Sequence, residues 1–135
     1  MPIDAATTTR IRRYRSQSLR LLDNALSEMR GGHWLRTEEL LWGSLTQAVK
    51  AVALSRGDTL ADAAAVRDYA TRLGQEQRDR RIREAFSQLS AFAEALDLAR
   101  DSRSRLDHLF LTLDEVSSAV ERLWKLIPGE AADGS

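Results

Sequence analysis

The strongest constraint on the fold lies between residues 82 and 99, where Ile82, Ala85, Leu89, Phe92, Leu96 and Ala99 recur at steps of 3, 4, 3, 4 and 3. Such steps return a side chain to the same side of a helix, whereas a strand would need strict alternation. The spacing predicts a long amphipathic helix from about Gln75 to Ala99. Four other segments keep the same period. Leu19, Leu22, Leu26 and Met29 mark a first helix that stops at Gly31 and Gly32. Its N-terminal part is polar, with Ile11 and Tyr14 as the large apolar groups. A second helix, from about Trp34 to Ser55, carries Leu41, Leu45, Ala48 and Val52 on one face, widened by Trp42 and Val49. So broad a stripe predicts a central position in the core, and Gly57 offers a left-handed cap at its end. A third runs from about Thr59 to Leu73, with Ala63, Val66, Ala70 and Leu73 inward and Gly74 as the stop. The last is expected to open at Thr112-Leu113-Asp114-Glu115, which has the form of a capping box. Leu113, Val116, Val120, Leu123 and Ile127 then face inward, and Pro128-Gly129 ends the helix.

No segment alternates like a strand and no repeat of fixed period is present. The expectation is therefore an all-α, single-domain, up-and-down bundle of four to five helices, with residues 1–10 and 129–135 as flexible tails. A chain of 135 residues that is 43% hydrophobic and 30% charged can bury a real core. It has no cysteine, so disulfides, thiolate metal sites and thiol nucleophiles are excluded. Neither His33 nor His108 has a glutamate three residues before it, which excludes the carboxylate di-iron pattern of helical bundles. Phosphate-loop, nucleophile-elbow and zinc-protease signatures are missing as well. No cofactor and no metal is expected. The N-terminal residues lack the apolar stretch of a signal peptide, and no apolar run approaches a bilayer span. The expectation is a cytoplasmic protein without a membrane partner.

The formal net charge is zero, so no whole-molecule field attracts nucleic acid. Locally, arginines gather at Arg10, Arg12, Arg13 and Arg15, and again at Arg78, Arg80, Arg81 and Arg83. Lining one groove, Arg10, Arg12, Arg13, Arg15, Arg78 and Arg81 would contact RNA phosphates or a protein partner. The plainer reading is a solvated helix face balanced by Glu76, Asp79 and Glu84. The first cluster has another reading, a helix extension outside the core that touches a partner through Ile11 and Tyr14. Trp34, Trp42 and Trp124 lie beside apolar stripes and read as packing residues, Trp34 being the one expected to stay partly exposed.

The first two helices carry a further cadence: Ala25-Leu26-Ser27-Glu28, Gly31-Gly32-His33-Trp34, Glu39-Leu40-Leu41-Trp42-Gly43-Ser44-Leu45 and Ala48-Val49-Lys50-Ala51-Val52-Ala53. This stretch resembles the HEPN superfamily, and within it the PaREP-like group. The resemblance covers about residues 18–57, and the remaining helices match only in order and length. It implies a helical bundle that often dimerises. Many members are metal-independent ribonucleases, often toxins paired with an antitoxin encoded nearby, and others act as binding or scaffold modules. Active members carry an arginine and, after a short spacer, a histidine, with the pairs of two protomers meeting across the dimer interface. Here Arg103-Ser104-Arg105-Leu106-Asp107-His108 fits the shortest spacing, near the expected junction before the last helix. In that reading Arg103 grips phosphate and His108 moves a proton. A motif this short also arises by chance in a chain with 18 arginines. The first reading is a homodimeric interaction or regulatory module that binds a protein partner or RNA without robust catalysis. The alternatives are a toxin-like ribonuclease using Arg103 and His108, and a structural subunit of a larger assembly.

Overall fold

All five periodic segments are helical. The computed structural model describes residues 4–98 and 102–127, with side chains described except at 93, 95–98, 102–106, 108 and 109. In chain order the helices are α1 (Ala5–Arg30), α2 (Trp34–Ser55), α3 (Ala63–Glu76), α4 (Arg80–Leu98) and α5 (Ser102–Lys125), and no strand occurs among the described residues. The second helix is central, as its wide stripe requires. Leu40, Leu41, Leu45, Ala48, Val49, Ala51, Val52 and Ala53 are all buried, and α2 packs against each of the other four helices. The α4 stripe is buried at Ile82, Ala85, Leu89 and Phe92, while Leu96 and Ala99 lie outside the described residues. On α5 Leu113, Val116, Val120 and Leu123 are buried as expected, together with Ala119 and Trp124, and Ile127 is buried just past the helix end at Lys125. Trp34 is half-buried.

The largest helix-helix interface joins α1 to α2, and small residues make it close. Ser18 and Ser44 are both buried and clasp each other's backbone. The Ser18 hydroxyl donates to the Ser44 carbonyl at 2.9 Å, and the Ser44 hydroxyl donates to the Ser18 carbonyl at 2.7 Å. Each hydroxyl thus finds an acceptor inside the core, which removes the cost of burying it. This arrangement corrects the expected α1 stripe: Ser18 and Ala25 take inward positions, and Leu19 is 42% exposed. It also corrects the N-terminal extension. Residues 4–10 are not a tail, because Asp4 caps α1 by accepting from the Thr7 backbone N–H at 2.7 Å. Ile11 is fully buried and Tyr14 packs against the core. The physical reason is position: Arg10 and Tyr14 lie beside Lys50 and Leu54, so this part of α1 covers the end of α2.

Three helices end in the same way. In each, the residue past the cap has positive φ, and two backbone N–H groups return to carbonyls of the last turn. At the end of α1, Gly32 (φ 76°) donates to Met29 at 3.0 Å and His33 to Glu28 at 2.9 Å. At the end of α2, Gly57 (φ 83°) donates to Leu54 at 3.1 Å and Asp58 to Ala53 at 2.8 Å. At the end of α3 the left-handed residue is Arg78 (φ 52°), which donates to Gln75 at 3.3 Å while Asp79 donates to Gly74 at 2.8 Å. Gly74 is therefore not the stop. It lies buried inside α3, where α4 passes so close that a Cβ would sit 2.4 Å from Arg83 Cβ and 2.5 Å from its backbone N and Cα. The boundaries shift accordingly. The N-terminal boundary of α3 moves to Ala63, which is exposed, behind Asp62, whose carboxylate accepts from the Ala65 N–H at 2.8 Å. α4 begins at Arg80, behind Asp79, which accepts from the N–H groups of Arg81 and Ile82.

The fifth helix also departs from expectation. It begins at Ser102, ten residues before Thr112, and Thr112 is buried in its interior. A capping box acts only where the chain before it leaves the helix. The sequence from Ser102 to Thr112 contains neither glycine nor proline, so nothing forces a break there.

Candidate functional site

The Arg103–His108 segment falls within the first two turns of α5 rather than at a junction, and the side chains of both residues lie outside the described residues. Just beyond them, Phe110 and Leu111 stand 54% and 65% exposed. The next residues of α5 turn inward at Thr112 and Leu113.

The two arginine clusters have different fates. Arg81 reaches across to α5 and donates to the Ser118 hydroxyl at 2.7 Å. Arg80 and Arg83 share Glu84, at 3.6 and 3.4 Å. Arg78 is exposed and supplies the left-handed turn. In the second cluster Arg81 thus ties α4 to α5, while Arg80 and Arg83 are paired along α4 itself. In the first cluster Arg10 and Arg13 are exposed, Arg12 and Arg15 half-buried, and no carboxylate among the described residues pairs with Arg10, Arg13 or Arg15. These residues do not form one stripe. Successive helical positions turn by about 100°, so four arginines within six positions spread around α1.

Three clefts bring together cations that lie far apart in sequence. The smallest, about 50 Å³, sets Arg10 and Tyr14 of α1 beside Lys50 and Leu54 of α2 and the loop residues Asp58, Thr59 and Leu60. The second, about 230 Å³, is lined by Arg56, Asp58, Tyr69, Arg72, Leu73 and Glu76. In it Arg56 pairs with Glu76 at 3.0 Å, the Tyr69 hydroxyl donates to Asp58 at 3.1 Å, and the Arg72 guanidinium lies 5.7 Å from the Tyr69 ring centre. Burial, then the hydrogen bond to Asp58 and the negative charge behind it, hold the Tyr69 phenol above its ordinary range. The third, about 340 Å³, lies between the start of α4 and the C-terminal half of α5. There Asp79, already the cap of α4, accepts from Arg122 at 2.8 Å, and Arg81, Lys125 and Glu121 complete the charged lining.

Sequence reasoning named Arg10, Arg78 and Arg81 but not Lys50, Arg56, Arg72, Arg122 or Lys125. Apart from Arg122 and Lys125, one turn apart on α5, these are spread along the chain, and only the packing of the helices makes them neighbours of the clefts. Among the described residues no three His, Cys, Asp or Glu side chains are placed to share a metal. No helix among them is long and apolar enough to cross a membrane. No family model, curated protein or solved structure matches this chain.

Proposed function

We propose that the chain is a HEPN-like interaction module that works as a homodimer and binds its partner rather than turning over a substrate. The observation that supports this best is the exposure of Phe110 and Leu111 in consecutive positions of α5, whose other face is buried at Val116, Val120 and Leu123. Two large apolar side chains side by side on the outside of a packed helix are what a protein interface uses. A second copy seated there would also bring the Arg103–His108 segments of two chains close, as the HEPN resemblance implies. The test is the solution mass by light scattering. The expected result is a dimer that Phe110→Ser with Leu111→Ser converts to a helical monomer. A wild-type monomer throughout the micromolar range would refute the dimer.

The second reading, a metal-independent ribonuclease, draws on the Arg103–His108 motif of the HEPN resemblance, which precedes Phe110 and Leu111 in α5. Its chemistry needs the arginine fork on the scissile phosphate and the imidazole exchanging a proton with the ribose hydroxyl or the leaving oxygen. RNA cleavage in EDTA that Arg103→Ala and His108→Ala each abolish, with the dimer intact, would establish it over the binding reading.

A further inference from the structure

We infer that the end of the bundle ringed by the three clefts binds the phosphodiester backbone of a single-stranded polynucleotide. This deepens the binding-module reading by naming a partner class and a site, and rests on that reading but not on the dimer. The clefts follow one another around the ends of α2, α3 and α5 and the start of α4. The first two share Asp58, and Glu76 of the second is followed in the chain by Gln77 of the third. Together they run from the second turn of α1 past the end of α2 and the α3–α4 turn to the last turns of α5.

Along that path seven cations line the clefts against four carboxylates, in a chain whose net charge is zero. Two of the carboxylates are already engaged, Glu76 by Arg56 and Asp79 by Arg122. Arg10, Lys50, Arg72 and Lys125 form no ion pair among the described residues. The surplus charge is thus carried by groups spread along the whole path rather than focused in one cleft. A small anion would use one cleft, whereas a flexible chain of evenly spaced phosphates can engage them in succession. Five of the seven cations are arginines, whose planar fork suits phosphate oxygens. An anionic bilayer would also call for apolar groups to insert. The exposed large apolar residues Leu19, Leu35, Phe110 and Leu111 line none of these clefts.

The experiment measures anisotropy of a labelled oligouridylate with the full chain as salt is raised. Neutralising four phosphates on a single strand gives a log–log salt slope of about −3. Arg10→Gln on α1 and Lys125→Gln on α5 are each expected to flatten the slope by about 0.7, and the double variant by about 1.4. Both residues are exposed, so circular dichroism should stay that of the wild type. Arg30→Gln is the control, because Arg30 ends the same α1 helix roughly 30 Å from Arg10; it should leave the slope unchanged.

The inference is overturned by any of three results. These are absence of binding at low salt, slopes that Arg10→Gln and Lys125→Gln do not change, or competition by polyglutamate as effective as that by unlabelled oligouridylate. The two proposals fail separately. A dimer that binds no oligonucleotide removes this site alone, and a monomer that binds with the expected slopes removes the dimer alone.

Discussion

Replacing Gly74 by alanine should destabilise this protein, although a glycine-to-alanine change inside a helix ordinarily stabilises it by about 0.5–1 kcal/mol. The opposite sign follows from the α3–α4 contact. An added Cβ would meet Arg83 Cβ at 2.4 Å and its backbone at 2.5 Å, and an ordinary contact begins at 3.4 Å. The two helices would have to separate by about 1 Å at that point, a gap that forfeits a quarter to a half of the dispersion energy of the atoms around it. Leu73 and Ile82 flank the contact and are both buried, so the loss falls on well-packed core. Overpacking of this kind costs about 1–3 kcal/mol, and subtracting the midpoint of the propensity gain from the midpoint of that cost leaves about 1 kcal/mol of net destabilisation. Urea denaturation followed by circular dichroism reads it directly. Gly43→Ala supplies the internal comparison. There the new Cβ meets a single close atom, the Leu21 Cδ1 at 3.0 Å, at the tip of a flexible side chain. That variant should be neutral or stabilised by about 0.5 kcal/mol. A Gly74→Ala protein as stable as the wild type would refute the close-approach account of Gly74.

Three further outcomes are expected. Ser18→Ala and Ser44→Ala should each cost about 1 kcal/mol in the same denaturation assay. Because the two hydroxyls also lie 3.3 Å apart, the double variant should cost less than the sum, and strict additivity would argue against the clasp. Arg78→Gly should stabilise by up to about 1 kcal/mol, since it relieves a left-handed residue with a Cβ at the end of α3; unchanged or lower stability would contradict the strain assigned to that turn. Tyr69 in the folded state has a raised pKa, so its contribution is fully present below the unfolded value near 10 and is lost as pH rises through the folded value. Tyr69→Phe should accordingly flatten the alkaline limb of thermal stability against pH, and an unaltered limb would assign the pH dependence to other groups.

Much of the architecture was legible along the chain because it depends on neighbours three or four residues apart. The bounds of α2, its central position and the inward face of α5 follow from apolar period alone, and Gly32 and Gly57 mark two ends because only glycine adopts their φ without strain. The same local rules failed at Gly74 and Thr112. A glycine demanded by close packing looks the same in sequence as one demanded by a turn. A Thr-x-x-Glu inside a continuing helix likewise spells the same letters as a cap. Ser18, a polar residue on an otherwise apolar face, gave no sign of its partner 26 residues away.

For the site, sequence could point to arginines that cluster within a few residues, and Arg10 and Arg81 do line clefts. It could not join them to Lys50, Arg56, Arg72, Arg122 and Lys125. Charge reaches through space over roughly a Debye length of about 8 Å at physiological salt, without regard to chain order. Which segments are helical was thus settled by short-range periodicity, which is written in the sequence, whereas the starts of α3, α4 and α5 were not. Which helices touch, which glycine permits the contact and which end of the bundle gathers positive charge were settled only when α2 was enclosed by the other four helices.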